Sequence, residues 1–312
     1  MTPTIGIDVG GTNVRGAVVT SDGEVVHERH RPTPDGEREL VDALLGVIAD
    51  LRDDPPDVAA VGVGIAGLVD FDGVVHYAPN IHGILGVPLR DALTDATGLP
   101  VVVDNDANVA AWGEARFGAA AGCNNCLLIT LGTGVGGGIV TDGHLYRGGH
   151  GFAAEIGHFQ VDPDGPLCAC GERGHWEAIA SGTALGRMAR EAAAAGHAPS
   201  VVEAAAGNVD AITGYHVTAA VRAGAPDARA LVTAYAGNVA IGLAGLANIL
   251  DPTRIVVSGG LIEMGETLLR PMRDAFTGRI EGAARRPQPE IVAATLGEKA
   301  GMIGAAALAM LA

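Results

Sequence analysis

The chain has 312 residues, 48% hydrophobic and 18% charged, a globular composition with enough apolar content for two ordinary domains. Its formal net charge is −16, and no basic stripe exists to offset phosphates, which argues against nucleic acid or an anionic membrane as a partner. Lys299 is the one lysine, so any phosphate handled here is neutralised by arginine, a metal ion or backbone N–H groups.

Taken in chain order, "TIGIDVGG" reads as a strand running into a tight glycine turn, and "VRGAVVTSDGEVV" as a second strand, a turn and a third. Leu40, Leu44, Ile48 and Leu51 recur at helical spacing and predict an amphipathic helix over 38–52. "VAAVGVGIAG" reads as a buried strand, "LPVVVDND" as another, and "ANVAAWGEARFG" as a helix. The order then restarts at Cys126: "TNVRGAVVTSDG" (12–23) and "TGVGGGIVTDG" (133–143) share their pattern, an internal duplication at domain scale. Residues 199–229 read as broken helices, and 299–312 as an Ala-rich closing helix. The stretch 230–250 is uncharged but carries Thr233, Asn238, Asn248 and glycines, so it reads as a buried or interfacial helix rather than a membrane span. Met1–Gly11 has neither a basic start nor an apolar run, so the cytoplasm is the expected location.

Gly10, Gly11 and Thr12 form a turn that backbone N–H groups and a hydroxyl can present to a phosphate, with Asp8 placed to hold Mg²⁺; Thr133 and Gly134 repeat the device. "GTGVGG" (132–137) and "GVGIAG" (62–67) also fit a dinucleotide fingerprint, which leaves a nicotinamide-dependent dehydrogenase as an alternative. Strand and turn, rather than helix, follow both, and that context speaks against it. In "VVVDNDANVAAWGE", Asp106 reads either as a helix N-cap or as a catalytic base at the end of a strand. Residues 155–177, "EIGHFQVDPDGPLCACGERGHWE", have metal-ligand spacing bracketed by carboxylates. Cysteines in a chain read as unexported point to metal rather than disulfides, while Cys123 and Cys126 read as buried residues at a strand start.

"IGIDVGGTNVRGAVV", "GVGIAGLVD", "APNIHG", "VDNDANVAAWGE", "TLGTGVGGGIV", "AAEIGH", "CACGERGHWEAIASG" and "IVVSGGL" together resemble the ROK family of sugar kinases, in that family's order and over nearly the whole chain. The resemblance implies an α/β, two-lobed ribonuclease-H-like fold of the sugar kinase/actin/Hsp70 superfamily, with an inter-lobe cleft and a homodimer or dimer of dimers. The lobes are expected at 1–117 and 118–297, with the closing helix 298–312 packing back on the first. The resemblance makes Asp106 the catalytic base and Gly67, Asn80, Asn105, Glu155, His158 and Glu177 sugar contacts. It places Asp8, Gly10, Gly11, Thr12, Asn13, Thr133 and Gly134 at the ATP phosphates and Mg²⁺, and Gly259 and Gly260 beside the adenosine.

The family's zinc clamp, His-x9-Cys-x-Cys-x4-Cys, maps onto His158, Cys168, Cys170 and, with histidine in the last place, His175; a Cys₂His₂ set suits structural Zn²⁺. The implied reaction is transfer of a phosphoryl group from ATP to the 6-hydroxyl of glucose. Kinases for fructose, N-acetylglucosamine or N-acetylmannosamine share nearly all these residues, the donor could be polyphosphate, and a sugar sensor without catalysis is the reading from another class. The helix-turn-helix of ROK repressors finds no place before the first strand, so a repressor is not expected.

Overall fold

The turn after the first apolar run sends the chain back on itself: β1 (Thr4–Val9), β2 (Asn13–Val19) and β3 (Val25–Pro32) form an antiparallel meander. There follow α1 (Glu37–Arg52), β4 (Val61–Ile65), the short pair β5 (Leu68–Val69) and β6 (Val75–Tyr77), α2 (Leu89–Thr97), β7 (Val101–Asn105) and α3 (Asp106–Phe117). The second copy begins with β8 (Cys126–Leu131), β9 (Val135–Thr141) and β10 (His144–Tyr146). Its helices are α4 (Glu177–Ala180), α5 (Gly182–Ala194), α6 (Pro199–Ala204), α7 (Gly214–Arg222) and α8 (Pro226–Leu250). The strand β11 (Arg254–Ser258), α9 (Glu266–Phe276), β12 (Glu290–Ala293) and α10 (Ala300–Ala309) complete the chain. The structure is a computed structural model that describes residues 2–52 and 57–312.

Two mixed five-stranded sheets result, ordered β3-β2-β1-β4-β7 and β10-β9-β8-β11-β12. The two orders are the same, strand for strand, which is the structural counterpart of the repeat at 12–23 and 133–143. Contacts divide the chain into two compact units, one of Met1–Leu128, Gly138–Ala154 and Ala294–Ala312, the other of Ile129–Gly137 and Glu155–Ala293. The lobe boundary expected at 117/118 differs from this division. The chain crosses within β8 and β9, since a strand belongs along its length to whatever packs on each part of it.

In the first unit, β1 and β4 are buried along nearly their whole length because helices cover both faces. On one face α1 inserts Leu40, Leu44, Val47 and Leu51 among Ile5, Ile7 and Val63. On the other lies α10, the closing helix, against α3. The α10 backbone approaches so closely that a Cβ at Gly62 would overlap the Ala305 carbonyl, and one at Gly304 would overlap that of Val109. Buried Glu114 of α3 accepts the backbone N–H groups of Ala119, Thr295 (3.0 Å) and Leu296 (2.8 Å), fastening α3 to the segment that enters α10.

In the second unit the uncharged run is α8, which is long and apolar enough to cross a membrane by composition alone. Val232, Tyr235, Val239, Leu243 and Leu246 form its buried stripe, α9 packs beside it, and the Tyr235 hydroxyl donates to the Ala180 carbonyl. It is a core helix of this unit.

Gly62→Ala should destabilise the protein by about 1–3 kcal/mol, because a methyl group must displace helix backbone rather than a side chain. Gly149→Ala, where a Cβ meets open space, should change stability by less than about 0.5 kcal/mol. Denaturant titration of the two variants measures the contrast.

Candidate functional site

Strand β7 delivers Asp104, Asn105 and Asp106 to its C-terminal end, where α/β proteins concentrate their chemistry. Asn105, not Asp106, caps α3: its Oδ1 accepts the N–H groups of Ala107 (2.8 Å) and Asn108 (3.1 Å), while its Nδ2 donates to the Gly67 carbonyl (3.1 Å). The cap fixes the first helical residue, Asp106, whose Oδ1 accepts the Ala107 N–H at 2.9 Å. Burial pushes the Asp106 carboxyl above the usual carboxylate range, against the pull of that N–H.

Beneath it, Asp104 is buried and accepts from Asn108 Nδ2 (2.9 Å), its neighbour's N–H (2.8 Å) and Arg147 Nη1 (3.1 Å). Burial still outweighs these donors and raises the Asp104 carboxyl. Arg147 also lies over the Phe71 ring, at 5.0 Å from its centroid. Sequence reasoning missed this pair, since 43 positions separate the partners.

Asp8, near the end of β1, faces the same region. Burial, and next the Asp106 carboxylate, push its carboxyl from 3.8 up to about 6, against a smaller opposing effect of Arg15. The N-terminus of α10 abuts it: a Cβ on Gly301 would lie 2.6 Å from the Asp8 carboxyl carbon. Two carboxylates whose repulsion Arg15 offsets only in part suit a site that takes a divalent cation. The turn from Gly10 to Asn13 is closed by the Gly10 N–H donating to the Asn13 carbonyl (3.0 Å) and by Thr33 Oγ1 donating to the Gly10 carbonyl (2.6 Å). Gly11 and Thr12 are exposed at its tip, Gly11 lies against exposed Asn80, and Asn13 Oδ1 pairs with His30 Nε2 at 2.8 Å.

The second unit repeats the turn at Gly132–Gly134, which rests on the N-terminus of α5. Gly182 N–H donates to the Gly132 carbonyl (2.7 Å), and Thr183 Oγ1 donates to that of Thr133 (2.7 Å). A pocket of about 260 Å³ opens there, lined among others by Thr133, Thr183, Arg190, Tyr215 and Gly260. Gly259, just before Gly260, has positive φ and packs closely on β8, where a Cβ would lie 2.5 Å from the Leu131 carbonyl. Thr183, Arg190 and Tyr215 were not read from the sequence. The clue available was Gly182 and Gly186, one helical turn apart, a smooth face that a ligand can approach.

Donor atoms of His158, Cys168, Cys170 and His175 all lie within 4.8 Å of one another. Cys170 Sγ is 3.2 Å from His175 Nδ1, the two Nδ1 atoms are 3.4 Å apart, and Cys168 Sγ is 3.8 Å from His158 Nδ1. Tetrahedral Zn²⁺ with its usual bond lengths separates ligand atoms by about 3.5 Å, so the set fits that ion. Burial pushes the Cys168 thiol up to about 11 against the pull of the Cys170 backbone N–H, with the Cys170 side chain and the Glu177 carboxylate adding to the rise, an environment a bound cation would reverse. Because His158 turns Nδ1 to the cluster, its Nε2 is left for another partner. Glu177, on the first turn of α4, accepts the Val135 N–H through Oε2 at 2.9 Å and the Cys168 thiol through Oε1 at 3.5 Å. Glu155 is exposed just before the short 3₁₀ turn Ile156–His158.

Paired mixed sheets in this order are the frame of actin-like sugar kinases, and the protein is of that class. The sequence profile of the ROK family matches residues 4–311. A glucokinase of Streptomyces coelicolor is 42% identical over 309 residues, covering 98% of this chain and 97% of the relative. A ROK family glucokinase from Streptomyces griseus, crystallised with glucose and AMPPNP, superposes with a TM-score of 0.87 at 44% identity and covers 99% and 100% of the two chains. The ROK hexokinase of Thermus thermophilus gives 0.80 at 35% identity, over 99% and 98%. The chain belongs to the ROK family.

An acid with a raised folded pKa stabilises the fold below its ordinary value and loses that contribution as pH rises through the raised one. Cation-free protein should therefore lose about 3 kcal/mol through Asp8 between pH about 4 and about 6. Asp8→Asn should remove this loss and unfold at higher denaturant than the parent at pH 7. Titrations of both proteins at acid and neutral pH, without divalent ions, test it.

Proposed function

We propose that the protein is a glucokinase that transfers the γ-phosphoryl group of ATP to the 6-hydroxyl of glucose. The observation that carries the reading is the desolvated Asp106 carboxylate, held at the end of β7 by the Asn105 cap, in a chain 42–44% identical to glucokinases along its whole length. Glucose and AMPPNP are the ligands of the Streptomyces griseus relative, and they set the substrate expectation here.

Asp106 takes the proton of the 6-hydroxyl as that oxygen attacks phosphorus in line. Its raised pKa suits a base that must hold the proton briefly and release it. Phosphoryl transfer through a loose transition state asks mainly for positioning, which explains how a carboxylate suffices. Asn105 serves in part as structure, since its Oδ1 is committed to the cap and one Nδ2 hydrogen to Gly67; its second Nδ2 hydrogen remains to donate to a sugar hydroxyl. Asn80, Glu155, Glu177 and His158 Nε2 orient the remaining hydroxyls, with Gly67 contributing through its backbone.

The turns at Gly10–Asn13 and Thr133–Gly134 present N–H groups and hydroxyls to the phosphates, and Gly260 borders the nucleoside. Mg²⁺ bound at Asp8 would neutralise charge on the transferring phosphoryl group. Zn²⁺ held by His158, Cys168, Cys170 and His175 would order the loop that carries the sugar contacts. A cytoplasmic homodimer is the assembly this family membership favours.

ADP release with Mg-ATP, measured against glucose, mannose, fructose, N-acetylglucosamine and N-acetylmannosamine, tests the reading. Turnover should be strongest on glucose; preference for an N-acetylated sugar would overturn the substrate, and silence across the panel would overturn the activity. Asp106→Asn should lower kcat by roughly 10²–10⁴-fold with the fold intact. Metal analysis of the purified chain should find one zinc per chain, lost in Cys168→Ser.

A further inference from the structure

The metal loop grips the second glycine turn from both of its own ends. Where the loop begins, Gly157 lies directly against the Val135 carbonyl, with no room for a Cβ between them. Where it ends, Glu177 Oε2 accepts the Val135 N–H at 2.9 Å and occupies the space a Cβ on Gly134 would need. Two ligands of the cluster adjoin these grips in sequence, His158 directly after Gly157 and His175 two residues before Glu177. Residue 135 of the turn is thus held on both its N–H and its C=O side by one loop.

The turn is otherwise closed by the Gly132 N–H donating to the Gly134 carbonyl at 3.1 Å. Its Gly132 and Thr133 line the pocket at the start of α5. Between its ends the loop is closed on itself by backbone bonds, among them Val161 N–H to the Gly174 carbonyl (2.8 Å), Cys168 N–H to the Glu172 carbonyl (2.8 Å) and Gly174 N–H to the Pro166 carbonyl (2.9 Å). Isolated bridges pair Gln160 with His175 and Leu167 with Arg173, and the sequence is rich in Asp, Pro and Gly. A metal held by the cluster would add to these bonds a cross-link joining His158, Cys168, Cys170 and His175, the two ends of the loop included.

We propose that Glu177 is a positioning residue for nucleotide binding: it passes the order of the Cys168–His175 loop to the Gly132–Val135 turn, so an assembled metal cluster tightens nucleotide binding even when no sugar is present. This rests on the kinase reading above. It assigns to Glu177 a second task beside its sugar contact, one carried by the oxygen that faces the turn. By linkage the coupling is reciprocal, so bound nucleotide must raise the affinity for the metal by the same factor.

The test is calorimetric titration of the full chain with Mg-AMPPNP in the absence of sugar, before and after treatment with a zinc-selective chelator. Chelation should weaken binding about five-fold or more, the lower range for coupled sites. Glu177→Ala, still zinc-loaded, should bind as weakly as the chelated parent and lose less than two-fold more on chelation. Glu177→Gln keeps an oxygen for the Val135 N–H and should retain most of the affinity, which a bulk loss of structure would not allow.

Unchanged affinity in the chelated parent would overturn the proposal and leave the kinase reading standing. So would parent-like affinity in Glu177→Ala, a comparison that needs no metal removal and stays decisive if chelation unfolds the loop. Absence of any nucleotide binding by zinc-loaded parent protein would instead overturn the kinase reading, and this proposal with it.

Discussion

The closing helix α10 lies on β1 and β4 with backbone against backbone, and the first unit is organised around that contact. Gly62 permits it on the strand side, Gly304 lets the same helix close equally on α3, and Glu114 locks the approach by accepting the N–H groups of Thr295 and Leu296. The result is positional. The beginning of α10 stands beside Asp8, and α3, which α10 packs against, begins at Asp106. Two carboxylates that must face one another, nearly a hundred residues apart in sequence, are thus located by the last dozen residues of the chain. A close contact of this kind is intolerant of volume, because the atoms that would have to move are helix carbonyls rather than flexible side chains.

Duplication supplied both sheets, and the copies then diverged by what they inserted. In the first copy, the meander leads through α1 to β4 and on to the strand end that carries the carboxylates. In the second, the metal loop and α4–α8 lie between β10 and β11, and the glycine turn is supported by α5 and by Glu177. The first turn has Thr33 for that purpose. Equivalent turns came to have different supports because each relies on whatever its own insertion placed nearby.

Much of this was legible in sequence where the informative residues are neighbours. The strand end at Asp104–Asp106, the two glycine turns and the Cys/His spacing of 158–175 are local patterns, and each became a local structure. The repeat was readable because hairpins keep their turn chemistry. Two kinds of feature were not readable. One turns on a single residue of register: Asn105 rather than Asp106 caps α3, a difference that spacing cannot resolve when both are good caps. The other needs partners brought from afar, such as Arg147 under Asp104 or Arg190 and Tyr215 around Gly260. Adjacent glycines differ for a related reason: Gly260 borders the pocket, while Gly259 packs closely against Leu131.

The chain has two tryptophans, and each compact unit contains one. Trp112 sits on α3, with its indole N–H buried without a partner and Arg116 over its ring at 5.6 Å. Trp176 is wholly buried beside Glu177, its indole N–H donating to the Asn238 carbonyl at 3.2 Å. Their surroundings differ in charge and hydrogen bonding, so their emission should differ too. Intrinsic fluorescence therefore comes with one native reporter on the helix that begins at Asp106 and another next to the metal loop, and replacing either by phenylalanine would let the remaining one follow its own half of the molecule without any added label.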